Sequence, residues 1–79
     1  MSTDIFSKLV SNWPSAIVAR SEVGKFSGGL LLPRTLANLD SQGLGPVGRI
    51  RIGRMIAYPV EELATWMRQR SRPVDSQEF

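Results

Sequence analysis

The sequence predicts a small, mainly α-helical domain carrying one β-hairpin, and three observations lead there. Arg49-Ile50-Arg51-Ile52 and Met55-Ile56-Ala57-Tyr58 flank Gly53-Arg54, so two short runs with strand-like alternation meet at a tight turn. Pro33 opens a stretch with leucines at helical spacing, and Val60 to Arg70 is amphipathic. With 79 residues, the chain has room for a single core.

In chain order, Met1 to Thr3 is expected to fray. A helix then follows from Ile5, Phe6, Leu9 and Val10, with Thr3 or Asp4 as its N-cap. It should stop near Asn12, because Pro14 biases Trp13 away from helix. Trp13 is expected to lie as a lid on the core. Ala16-Ile17-Val18 reads as a strand or an extended lead-in. Ser21 to Phe26 reads as a short helix buried through Val23 and Phe26, with Glu22 complementing its dipole. Gly24 weakens that helix by about 1 kcal/mol relative to Ala, so packing must hold it.

Gly28-Gly29 breaks the chain before a helix over Pro33–Gln42, which Gly43 stops. Leu32, Leu36 and Leu39 are expected to form its buried stripe. Arg34, Asn38 and Ser41 fall on another face, with Thr35 and Gln42 flanking. In the hairpin, Gly53-Arg54 fits a type II′ loop, which wants glycine first. Ile50, Ile52, Ile56 and Tyr58 are expected on its buried face, with Arg49 and Arg51 on the opposite one. The last helix has Val60, Leu63, Ala64, Trp66 and Met67 on its apolar face, with Glu61 and Glu62 at its start and Arg68 and Arg70 at its end. From Ser71 the chain is polar and is expected to be disordered. The organisation is thus an N-terminal extension with a short helix (1–14), a domain (15–70) and a flexible tail (71–79).

The net charge is +3, and the basic residues are not evenly distributed. All six in residues 49–79 are arginine, whose planar fork matches phosphate and guanine edges. The chain has neither cysteine nor histidine, so thiolate metal sites, disulfides and the commonest general base are absent. No apolar run approaches the ~18 residues of a membrane span. A cytoplasmic, soluble protein without cofactor or catalysis is the expectation. Gly43, Gly45 and Gly48 have the spacing of a nucleotide-binding loop, but they follow a helix and precede a strand, which is the wrong context. Glu61 and Glu62 are adjacent on a helix and do not converge on a substrate.

The order of these pieces resembles the excisionase-like, MerR-type winged helix-turn-helix family of phage and mobile-element regulators. The residues carrying the resemblance are Val18, Glu22-Val23, Thr35-Leu36, Ile52-Gly53-Arg54, Tyr58 and the Leu63-x-x-Trp66 pair. Together they cover roughly residues 17–70. Ala19 departs from the pattern where the family often carries a Thr cap, and the Gly28–Leu32 turn is longer than usual. The resemblance implies a winged helix-turn-helix fold with Pro33–Gln42 as the recognition helix.

On that basis Arg34 would fork onto guanine, Asn38 onto adenine, and Thr35 onto a phosphate or a thymine methyl, with Ser41 beside them. Arg49, Arg51 and Arg54 would lie along the backbone or in the adjacent minor groove, and Lys25 adds a further cation. The same helix residues also fit a merely solvated face, and an edge hairpin carries charge in any case to deter strand pairing. The expected partner is double-stranded DNA, with an integrase or recombinase or self-association on DNA alongside. The expected role is that of an excisionase, directionality factor or prophage transcriptional regulator, with a terminase small subunit-like DNA-packaging module as a further option. The alternative is a protein-interaction adaptor using Leu30, Leu31 and Met55.

Overall fold

A computed structural model describes residues 4–72 and Val74. The expected fraying of Met1–Thr3, and the expected disorder at Pro73 and residues 75–79, lie outside the described residues. The described residues form four helices and a three-stranded antiparallel sheet, a mixed α/β arrangement. The order is α1 (Ile5–Asn12), β1 (Ile17–Ala19), a 3₁₀ turn (Arg20–Glu22), α2 (Val23–Phe26), α3 (Pro33–Ser41), β2 (Ile50–Ile52), β3 (Met55–Pro59) and α4 (Val60–Gln69).

Local chemistry explains most of the boundaries. Asp4 caps α1 by accepting the Phe6 N–H at 3.1 Å, and Pro14 keeps Trp13 extended at the other end. Pro33 starts α3, and Gly43 ends it with a φ of +76° that disfavours other residues. Neither the 3₁₀ turn nor α2 has a side-chain cap, and Ala19 stands at the N-cap of the turn where the family often carries Thr. Packing holds them instead: Val23 is fully buried and Phe26 nearly so. Glu61 and Glu62 in the first turn of α4 and Arg68 in its last complement the helix dipole.

Val18, Val23, Leu36, Tyr58 and Leu63 are completely buried and form the centre of the core. Each large apolar side chain contributes about 1.5–3 kcal/mol when removed from water. α1 belongs to the same core, since Phe6, Leu9 and Val10 pack against it. Trp13 covers one end edge-on to Phe26, with its ring 5.4 Å away and its indole N–H donated to the Ile17 carbonyl at 2.8 Å. Trp66 is partly buried and donates to the Leu44 carbonyl at 3.0 Å.

Two expectations change. Leu39 is only half-buried, and Leu32 does not join the buried stripe of α3 at all, being 59% exposed. It occupies the N-cap with extended backbone, as a residue before proline does, and is therefore out of helical phase with Leu36. Asp40 fills the buried face in its place.

The second change concerns the hairpin. Gly53 has a φ of +61°, as a type II′ turn requires at its first central position. The two-residue turn pairs Ile52 with Met55, Arg51 with Ile56, and Ile50 with Ala57. Directly paired residues share a face, so Arg51 lies with Ile56 and Tyr58 on the inner face. Arg49, two residues earlier, shares it. Ile50 and Ile52 lie instead on the outer face with Met55 and Ala57. The expected assignment of those arginines and isoleucines is reversed.

Candidate nucleic-acid interface

The inner face of the sheet is the side on which α3 lies. Tyr58 of β3 donates its hydroxyl to Asp40 Oδ2 of α3 at 2.6 Å. The start of α3 and the hairpin tip meet as well: Pro33, Arg54, Met55 and Ile56 line one shallow concavity of about 230 Å3 with Arg20 and Ser21. The start of α3 thus faces the hairpin tip across the 3₁₀ turn, and the end of α3 is tied to β3 through Asp40 and Tyr58.

Asp40 is the only acid in either element, and its side chain is 4% exposed. Arg20 Nη2 donates to the same Oδ2 at 2.6 Å, and Arg20 Nε donates to the Tyr58 hydroxyl at 3.0 Å. The three groups form a closed triangle joining the 3₁₀ turn, α3 and β3. Arg49 Nη1 stands 3.8 Å from Asp40 Oδ1, a buried atom without a hydrogen-bond partner among the described residues. Burial, reinforced by the adjacent Asp40 carboxylate, raises the Tyr58 hydroxyl above its ordinary pKa of 10.0, against the opposing effect of Arg20. Burial disfavours the charged Arg20, but its bonds to Tyr58 and Asp40 outweigh that and hold it protonated more firmly than usual.

The geometry sorts the predicted contact residues. Arg34, Asn38 and Ser41 are exposed and share one stripe of α3 by helical phase. The Ser41 hydroxyl is turned back to the Asn38 carbonyl at 2.8 Å, so its proton is already committed. Thr35 lies off this stripe, in an apolar groove lined also by Leu31, Leu39, Trp66 and Met67. Arg51 and Arg54 are exposed, and among the described residues neither they nor Arg34 form an ion pair. Arg49 is partly drawn to Asp40. Lys25 is not brought to this surface: it lines a separate depression with Asn12, Trp13 and Pro14.

Leu31 packs against the core while Leu30 is 79% exposed. The residue that sequence reasoning missed is Arg20, whose role depends on partners 20 and 38 positions away. The charge of Asp40 on an otherwise basic segment hinted at an arginine partner without saying which.

Among the described residues no group of His, Cys, Asp and Glu could hold a metal ion. No helix among them is long and apolar enough to cross a membrane. Comparison with models of known families, with curated proteins and with solved structures gives no significant match.

Proposed function

We propose that this chain is a small winged helix-turn-helix protein that binds duplex DNA sequence-specifically and catalyses no reaction. The observation that carries the proposal is the common orientation of α3 and the arginine face of the hairpin. Arg51 lies on the side of the sheet that α3 occupies, and Arg54 shares a concavity with Pro33. The single acid of these elements is withdrawn into the core, so Arg34, Arg51 and Arg54 stand unopposed by it. A helix of nine residues with an exposed Arg–Asn stripe fits a major groove, and the hairpin arginines fit the adjoining phosphates. From β1 onward, the order of strand, two helices, hairpin and helix supports the reading drawn from the resemblance over residues 17–70, and α1 lies outside it.

In this proposal Arg34 and Asn38 read bases, Arg51 and Arg54 position the protein, and Arg49 divides its charge between Asp40 and the backbone. Lys25 is not part of the contact set. Useful affinity for a domain this small requires adjacent copies or a second DNA-bound protein. An accessory role in recombination or transcription fits that need, with an excisionase as the first choice and a DNA-packaging module as a weaker one.

A salt titration on duplex DNA tests the proposal. Affinity should fall steeply with salt, and the double variant Arg51→Ala, Arg54→Ala should flatten the logarithmic slope by about two units. Selection from a random duplex pool should yield a preferred sequence that Arg34→Ala blurs, at about 1–3 kcal/mol per lost bidentate contact. No binding at low salt, or an unchanged slope in the double variant, would refute it.

A further inference from the structure

The strand order β1-β3-β2 leaves β2 with one open edge. With Ile52 and Met55 closing a two-residue turn, the backbone groups of Ile50 and Ile52 turn toward β3. Those of Arg51, its N–H and its C=O, turn away from the sheet. Neither takes part in a turn, loop or cap backbone bond among the described residues. All three residues of β2 are exposed. The edge therefore carries an unused donor and an unused acceptor at Arg51, the feature that folded proteins usually cover or disrupt.

The side chains along this edge separate cleanly by face. Arg49 and Arg51 project on the inner face, Ile50 and Ile52 on the outer. The outer face continues through Met55, Ala57, Ala19 and Ile17, and no outward position of the three strands is polar. An antiparallel sheet with a solvated face ordinarily alternates apolar-in with polar-out. Here Ile52 and Met55 are 59% and 54% exposed, and neither packs against the core.

We propose that an extended segment of a partner protein, alternating acidic and apolar residues, adds to β2 as a fourth strand. Its backbone bonds to Arg51, its acids meet Arg51 and Arg49 on one face, and its apolar side chains widen the Ile50–Ile52–Met55 surface on the other. A second copy of this chain fits poorly. Pairing two β2 edges would set Arg51 against Arg51, because that is the outward-bonding residue of the strand, and like charges directly opposite destabilise a ladder. Stacking two outer faces would bury on the order of 400 Å2 from the large side chains of each copy, about half of what a stable partner contributes. The proposal does not rest on DNA binding, and its test contains no DNA.

The experiment is a titration of the ¹⁵N-labelled full chain with a blocked octapeptide of alternating Asp and Val, followed by amide shifts and hydrogen exchange. Shifts should centre on Ile50–Ile52, and exchange of the Arg51 amide should slow. An alternating Lys and Val octapeptide should bind about tenfold more weakly, and Arg51→Glu should invert that preference. Arg51→Pro removes an outward donor without breaking a β2–β3 bond, so the spectrum should stay folded while peptide binding is lost. The proposal is overturned if the Asp–Val peptide at millimolar concentration leaves β2 unshifted, or if both peptides bind Arg51→Glu as they bind the parent. Concentration-dependent β2 shifts without peptide would also overturn it, since a second copy would then occupy the edge.

Discussion

Removal of the Asp40 carboxylate is the sharpest test of how this small core is organised. Oδ2 accepts two short bonds, from Tyr58 and Arg20, each at 2.6 Å, in a side chain only 4% exposed. In Asp40→Ala, Tyr58 loses its acceptor and Arg20 loses its counter-charge. Breaking a buried pair costs about 3–5 kcal/mol. Arg20 remains 25% exposed and can recover some hydration, which places the expected loss at the lower end, about 3 kcal/mol. A domain of this length is stable by roughly 4–12 kcal/mol, so the variant should lose a large share of that and its Tm should fall by about 12–24 °C. Asp40→Asn keeps an acceptor but not the charge, and should cost about 1–2 kcal/mol. Urea unfolding followed by tryptophan fluorescence measures both, with an unchanged m-value showing that the native and denatured states remain comparable. An Asp40→Ala midpoint within about 1 kcal/mol of the parent would refute this account of the triangle.

Three further outcomes follow from the same geometry. A Cβ at Gly45 would fall on Asp40 Oδ1 and stand 3.0 Å from its Cγ, so Gly45→Ala should cost about 2 kcal/mol in the parent and under about 1 kcal/mol in Asp40→Ala, a non-additivity that a double-mutant cycle reads directly. Because burial and then Asp40 raise the Tyr58 pKa above 10.0, its contribution is complete below that value and disappears as pH climbs through the raised one; Tyr58→Phe should abolish the alkaline loss at a neutral-pH cost of about 1 kcal/mol. The Asp4 carboxyl is held below its ordinary 3.8, first by the Phe6 N–H and then, against slight burial, by Arg68. Its contribution is present above 3.8 and lost as pH falls through the lowered value, so Asp4→Asn should flatten the acid limb of an unfolding series.

What was legible in the sequence depended on how far apart the cooperating residues lie. Asp4, Pro14, Pro33 and Gly43 act within a turn of their own position, and each marks a boundary that the fold keeps. Val23, Leu36, Leu63 and Tyr58 are large, apolar and in phase with their elements, and all are fully buried. β1 was ambiguous because three residues cannot show a period. What makes Ile17–Ala19 a strand is its pairing with β3, some forty residues away. The Arg20–Asp40–Tyr58 triangle has no local signature, because Arg20 lies 20 and 38 positions from its two partners.

The error over the hairpin is more instructive, because the information was present. A two-residue loop at Gly53-Arg54 fixes parity: Ile52 must oppose Met55, so Ile50 opposes Ala57 and Arg51 opposes Ile56. Grouping Ile50 and Ile52 with Ile56 and Tyr58 follows hydrophobicity, but a two-residue turn cannot place them on one face. The correction transfers the arginines to the side where α3 lies and leaves the isoleucines facing outward. The cationic and apolar halves of the hairpin thus separate onto opposite faces of the sheet. Arg51 joins the surface proposed for DNA, while Ile50, Ile52 and Met55 are left without a partner in the described chain. One parity rule therefore gives both the orientation on which the DNA proposal depends and the bare edge that calls for a fourth strand.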